Sequence, residues 1–406
     1  MTVGDGSDLT GDQRALRDTL RGFLVTELPT AALRAALETD AGYSPQLHAR
    51  LAAELGLAGL TIPGEFGGLG LSQAEACVVH TELGRALYPG PYLAGYLAAG
   101  VLAATVPATG DRAVAERWLP QLADGSVTGT IAVADSGGLW SSATGTVRAH
   151  LTPHGWRLYG RSWYVIAAHV AGIVVVSALA GSVPAMFLVE SGAPGFRVSP
   201  MPGLDLTRRV GVTAFDATPA VLLVQGADAA AALDRAEREF LLATAAEAVG
   251  GIDWCVDAAV MYAKDREQFG RPTASFEAVA HACVDMLTAF QEVSEVARYA
   301  AVADVEGAAD APAAARVAAL RTGQAYRGVT QTAIQLFGGI GSSGEHGAHL
   351  YYRRAWAAER LSGARTRTGP PSPTDPPVSS PIPRRPSVPA RRPGPPLAAL
   401  EYSDDR

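Results

Sequence analysis

The sequence predicts an α+β chain: a helical N-terminal domain (1–127), a middle β domain (128–225) that closes as a barrel or sandwich, and a C-terminal four-helix bundle (226–364). Two changes of pattern carry this reading. Apolar residues follow a helical period up to about residue 127, then give way to short runs of Val, Ile, Leu, Thr and Tyr broken by Gly, Pro and Asp, and return as long helical stripes after about 228. A third observation ends the folded part: residues 365–396 hold 12 of the 27 prolines, interleaved with Arg and Ser, so no helix persists there and little apolar surface is on offer. Residues 365–406 are therefore read as a disordered tail, with proline-rich ligand segments or an out-of-frame end as alternatives.

Each element has its own signal. Thr10 with Gln13 and Ser72 with Glu75 fit the capping box, and Ser44 before Pro45 marks another helix start, because proline at the first helical position gives up only a bond that would go unmade. The glycine-rich run from Pro63 to Gly70 reads as a turn, since no strand feeds it. In the middle stretch, 156–160, 163–166 and 172–177 are the clearest strands. Helices are expected at about 228–264, 275–306, 312–337 and 345–362; striped helices in succession imply a bundle.

Composition excludes several classes. The net charge of −7 gives no basic footprint for nucleic acid. No apolar run approaches the roughly 20 residues of a membrane span, and the N-terminus has no basic segment leading into an apolar one, so a cytoplasmic location is expected. Cys77, Cys255 and Cys283 are too few and scattered for a disulfide framework or a metal cluster. The segment Gly339–Gly344 matches the G-x-G-x-x-G dinucleotide fingerprint, but that motif works only where a strand turns into a helix, and here a helical stretch precedes it.

Three segments in order point elsewhere: Leu55 to Gly70 with Glu82–Ala86, Asp265–Pro272, and Gln335–Gly341. Together they resemble the acyl-CoA dehydrogenase family over residues 8 to about 362. Leu204–Arg209 and Glu345–Arg354 look like its bacterial branch of steroid side-chain and natural-product enzymes. The resemblance implies FAD extended between subunits, an acyl-CoA or acyl-carrier thioester as substrate and an electron-transfer partner. It assigns Arg266 to the pyrophosphate, where a fixed fork of donors suits adjacent phosphates, and Phe269 to packing on the cofactor. Gln335, Gly338 and Gly339 match the second subunit's contribution. Tyr164 keeps the aromatic of the strand that covers the flavin, while the hydroxyl and amide that usually follow it are absent; Ala134, Asp135 and Ser136 stand where the family has Thr-Glu-Pro.

The family's reaction removes a proton from the acyl α-carbon and passes hydride from the β-carbon to flavin, so a carboxylate must stand over the α-carbon. Counting on from Arg354 and Ala355 places Ser362 at the usual base position, and counting thirty residues back from Gly270 places Phe240 at the alternative one. Neither side chain can serve as that base. Glu237 and Glu239 are turned away from position 240, and Glu247, the remaining candidate, is about 10 Å along the helix. The expectation is a base-lacking subunit working in a homo- or hetero-oligomer with a paralogue. A homomeric flavin oxidase or desaturase acting on an activated substrate, or a non-catalytic structural subunit, are the alternatives.

Overall fold

The computed structural model describes residues 9–109, 112–140, 146–343 and 346–361, the side chains of 107–109 excepted. The tail and Ser362 lie outside that description. Six helices come first: α1 (Gly11–Glu27), α2 (Thr30–Leu37), α3 (Pro45–Leu55), α4 (Gln73–Arg85), α5 (Tyr92–Thr109) and α6 (Ala113–Ala123). Both capping boxes form, with Thr10 accepting from the Gln13 amide at 3.2 Å and the Glu75 carboxylate accepting from the Ser72 amide at 3.0 Å. Ser44 caps α3 and Gly56 ends it in the left-handed conformation (φ 65°) that glycine adopts without a Cβ clash.

The strands follow: β1 (Gly129–Ala132), β2 (Val147–Thr152), β3 (Gly155–Ile166), β4 (Ile173–Ala180), β5 (Val183–Glu190), β6 (Phe196–Met201) and β7 (Val210–Gln225). Pairing runs β4 to β5, β5 to β7, β7 to β3, β3 to β2 and back from β2 to β4, so five strands close a ring; β1 adds to β4 in parallel and β6 adds to β7. The two strands expected at 156–160 and 163–166 are one strand, β3, with a register shift between Ser162 and Val165. Gly160 allows this continuity: a Cβ there would strike the Thr146 backbone oxygen of the neighbouring chain segment. Strand β4 is buried on both faces, Val174 and Val176 inside the barrel with Phe187 and Phe215, Ile173 and Val175 against the helices. That two-sided burial accounts for its unbroken apolar run.

The second helical part holds α7 (Ala227–Asp265), a two-residue hairpin of β8 (Glu267–Gln268) and β9 (Arg271–Pro272), α8 (Glu277–Val305), α9 (Ala311–Phe337), the short α10 (Gly339–Ser342) and α11 (Ala348–Leu361). The long helices α7, α8, α9 and α11 form the expected bundle, and the G-x-G run falls on α10 directly after a helix, as its sequence context implies. Helix α7 also crosses α4 at backbone distance. A Cβ on Gly250 would run into the Thr81 carbonyl, and one on Gly84 into the Glu247 carbonyl, so reciprocal glycines let the two parts dock. Among the described residues no helix is long and apolar enough to cross a membrane and no cluster of side chains could hold a metal. The three cysteines are free.

Candidate functional site

Where the barrel meets α7 and α11 lies a cavity of about 660 Å³. Tyr164 and Ile166 from the end of β3, Gly137, Gly138 and Trp140 from the segment after β1, the loop after β6, Phe240 of α7, and Trp356 to Leu361 of α11 line it. Local backbone sets this wall. Tyr164 and Ala167 both take left-handed dihedrals (φ 54°), costing on the order of 1–2 kcal/mol each in a residue with a Cβ, and such strain concentrates at functional sites. Asp135 Oδ1 accepts from the Gly137 and Leu139 amides at 2.8 and 2.9 Å, building the turn that brings the two glycines to the cavity. Ser136 sits exposed on that turn and does not line the cavity, because the turn is held by Asp135 rather than by the serine.

Phe240, one of the two positions counted for the base, is 3 % exposed and stacks on Trp140 with ring centroids 5.0 Å apart. The other, Ser362, falls outside the described residues, directly after cavity-lining Leu361. The cavity's carboxylates among the described residues are Asp205 and Glu359, and both are ion-paired, with Arg354 at 2.5 Å and Arg327 at 3.2 Å respectively.

Glu247 was the remaining, weak candidate for the base. It does not line this cavity and is bound instead into a buried network: Arg208 donates to its Oε2, Arg354 Nη1 lies 3.5 Å from the same oxygen, and His80 Nδ1 lies 3.5 Å from Oε1. Burial alone would raise its pKa, but Arg208, His80 and Arg354 outweigh that and hold the carboxyl well below the usual range. A carboxylate so held is a poor proton acceptor. Arg354 continues the network, donating to Asp205, to the Thr207 hydroxyl and to the Thr207 carbonyl. Glu239, also weighed on the sequence, pairs with Arg235 at 2.8 Å and faces Gly100 of α5, away from the cavity.

The remaining predicted residues gather at the far end of α7. Arg266 caps that helix, exposed, and Phe269 tops the β8–β9 hairpin at 93 % exposure with a left-handed φ of 54°. Gln335, Gly338 and Gly339 end α9 beside them, the two helix ends being tied by Tyr262 on Phe337 at 5.2 Å. No atom lies within 4 Å of where a Cβ would sit on Gly338 or Gly339. This end is 26 residues, roughly 39 Å along α7, from Phe240. The structure thus separates the seven predicted cofactor residues, with Tyr164 at the cavity, Ser136 exposed on the turn beside it, and Arg266, Phe269, Gln335, Gly338 and Gly339 at the bundle's end. Sequence reasoning gave no site role to Trp140, Asp205, Arg208, Arg354 and Trp356; Asp205 and Arg208 lay in the noted motif Leu204–Arg209 and Arg354 in Glu345–Arg354, while Trp140 and Trp356 carried no signal.

Comparison with known proteins agrees with this architecture. Residues 10–126 match the model for the acyl-CoA dehydrogenase N-terminal domain and residues 237–366 that for the acyl-CoA dehydrogenase C-terminal domain. The acyl-CoA dehydrogenase IpdE2 of Mycolicibacterium smegmatis is 32 % identical over 87 % of this chain and 96 % of its own length. Among solved structures, the ChsE4–ChsE5 complex of Mycobacterium tuberculosis superposes with a TM-score of 0.78 at 25 % identity, covering 87 % of this chain and 94 % of that one. A Tcur3481–Tcur3483 steroid ACAD variant gives 0.76 at 28 % identity, over 87 % and 93 %.

Proposed function

This chain belongs to the acyl-CoA dehydrogenase family, and from that premise we propose that it is a FAD-dependent subunit for α,β-desaturation of acyl thioesters whose proton-abstracting carboxylate is completed by a paralogue. The observation that carries the reading is the wall at position 240: an aromatic ring stacked on a second ring stands where a carboxylate would act, and the cavity's own described carboxylates are tied up by arginines. Two similar structures being complexes of named chain pairs supports a paralogous partner for this one.

The residues present fit FAD. Gly138 lies against the Tyr164 ring, a Cβ there falling 3.7 Å away, and Arg266, whose side chain makes no hydrogen bond or ion pair among the described residues, stands near Gly338 and Gly339, where a Cβ would meet no atom within 4 Å. Because Phe240, which lines the cavity with Tyr164, and Arg266 stand so far apart along α7, each FAD is shared between chains, Tyr164 of one chain and Arg266, Phe269, Gln335, Gly338 and Gly339 of another. Bound there, FAD supplies the hydride acceptor. The chain's own part is to cover the ring with Tyr164, to exclude water with Phe240 and Trp140, and to pair the pyrophosphate with Arg266.

Anaerobic bleaching of the flavin by a panel of acyl-CoA thioesters tests this. The chain alone should react a hundredfold to ten-thousandfold more slowly than when mixed with a glutamate-bearing paralogue, the usual cost of a missing general base. Ser362→Glu or Phe240→Glu should recover part of the rate. Rapid bleaching by the unmodified chain alone would show that the base has been misplaced.

A further inference from the structure

Two walls of the cavity come from distant parts of the chain: Pro202 to Asp205 of the loop between β6 and β7, and Trp356 to Leu361 of α11. Arg354 bridges them. It is buried and does not itself line the cavity; its Nε donates to Asp205 Oδ2 at 2.5 Å and its Nη2 to the Thr207 hydroxyl and carbonyl at 2.6 and 3.0 Å. The acceptors are fixed in turn, because Asp205 Oδ1 accepts from the Thr207 amide at 2.8 Å and from its hydroxyl at 2.5 Å. On another face α11 is tied to α9, Glu359 pairing with Arg327 at 3.2 Å and Arg327 lying over the Trp356 ring at 5.0 Å. We propose that Arg354 is a positioning residue for the desaturation: it holds the last two turns of α11 at a set place against the β6–β7 loop and so aligns the wall from which the chain runs directly into the base position. The inference rests on the acyl-thioester reading above and adds to it the group that sets the geometry.

Three observations favour alignment over plain stability. The loop is not held by burial of its own leucines, since Leu204 and Leu206 are 52 % and 45 % exposed; its polar residues fix it, Asp205 and Thr207 on Arg354 and Arg208 on Glu247. On α11, Arg354, Ala357 and Leu361 stand at i, i+3 and i+7 and share one face, so the anchor meets the loop from the side of the helix that lines the cavity, about 10 Å along the axis from Leu361. A buried ion pair gives little net stability, because desolvation offsets its attraction, whereas a guanidinium fork met by several acceptors fixes direction as well as distance. The fork therefore matters for geometry, and a shift of about 1 Å in such a wall is enough to cost on the order of a hundredfold in rate.

The test uses the full chain loaded with FAD. Arg354→Lys keeps the cation but lacks the fork that serves Asp205 and Thr207 together. Gly250→Ala, strained where α7 meets α4 and absent from the cavity lining, is the control for lost stability alone. One readout needs no proton transfer: the visible difference spectrum of the flavin on binding an α,β-unsaturated acyl-CoA, together with its dissociation constant. The other is the rate of flavin bleaching by a saturated acyl-CoA in a Ser362→Glu background. We expect Arg354→Lys to change the shape of the difference spectrum with the dissociation constant kept within about threefold, and to lower the bleaching rate at saturation by about tenfold or more, while Gly250→Ala matches its parent in both. If Arg354→Lys does not fold, Thr207→Val, which removes one acceptor and no charge, carries the same comparison. An unaltered spectrum in the Arg354 variant, or the same alteration in Gly250→Ala, overturns the inference, and Arg354 is then a stabilising residue only. Where Ser362→Glu restores no rate, the spectrum decides for or against Arg354 and the lost rescue counts against the base position alone. A chain that takes up neither FAD nor any thioester overturns the inference together with the reading beneath it.

Discussion

Helix α7 has two stretches, its middle and its C-terminal end, that handle polar groups in opposite ways. Around residues 239–253 its carboxylates turn into protein and are answered there: Glu247 by Arg208, His80 and Arg354, Asp253 by Arg85 at 2.6 Å, Glu239 by Arg235. Around residues 261–269 the same helix presents Met261 at 56 % and Phe269 at 93 % exposure and an arginine whose side chain makes no hydrogen bond or ion pair among the described residues. The first stretch is closed largely by its own chain, although Glu239 Oε2 and Arg208 Nη1 stay buried without a hydrogen-bond partner among the described residues. The second carries apolar and cationic groups that a partner and an anion would finish, and with the neighbouring end of α9 it holds five of the residues that the resemblance assigns to FAD. Substitutions should therefore separate the two stretches, costing stability at the first and association at the second.

The largest effect is expected at Glu247. Glu247→Ala leaves Arg208 and Arg354 short of a countercharge in a buried place, a change that commonly costs about 3–5 kcal/mol, and urea unfolding should show it as a large drop in midpoint. The same residue sets a pH dependence. Its folded pKa lies below its unfolded value of 4.5, so the unfolded chain binds the proton more readily and the contribution is present above about pH 4.5 and lost as pH falls further. Wild type should lose stability steeply on acidification below pH 4.5, and Glu247→Gln should flatten that limb.

Next in size is the docking of α7 on α4. Gly250→Ala pushes a methyl group into the Thr81 carbonyl, and overpacking of this kind costs about 1–3 kcal/mol because backbone, unlike a side-chain tip, cannot swing aside. Gly95→Ala is the control, since a Cβ there meets nothing within 4 Å and α5 should gain slightly from the better helix former. Equal thermal midpoints for the two variants would show that α4 and α7 are not held at backbone distance in solution.

How much of this was legible beforehand follows from range. The capping boxes at Thr10 and Ser72, the start at Ser44 and the four long helices were readable because each is decided within a turn or two of the chain. The barrel's closure was not: β2 reaches β4 by a parallel pairing that no local pattern marks, and β3 was split in two because Gly160 and the register shift after Ser162 break its alternation. Phe240 in the cavity wall was found by counting from the Arg266–Gly270 motif, a reading that needed the family resemblance and not the residue itself. The ion network was illegible for a plain reason. Arg208 and Glu247 are 39 residues apart, Arg354 and Asp205 149 apart, and a buried charge announces its partner only once the fold has brought them together.

The smallest change in stability, and the sharpest statement about function, is expected at the hairpin. Phe269→Ser and Arg266→Ala remove exposed side chains, Arg266 capping α7 only through its backbone amide, and exposed side chains outside networks shift stability by about 0.5 kcal/mol or less. The urea midpoint of the FAD-free chain should therefore stay where it is. Self-association and flavin retention should both fall, because the phenyl ring is the most exposed apolar group at this end and the guanidinium is a cation without an ion pair among the described residues. They should fall together, since a cofactor shared between chains stabilises the assembly that holds it and adding FAD should partly restore the oligomer of Phe269→Ser. Sedimentation with and without FAD, alongside the visible flavin spectrum, reads both. If either variant stays fully yellow and fully assembled, the far end of α7 is ordinary exposed surface, and the contrast between the two stretches loses its functional half.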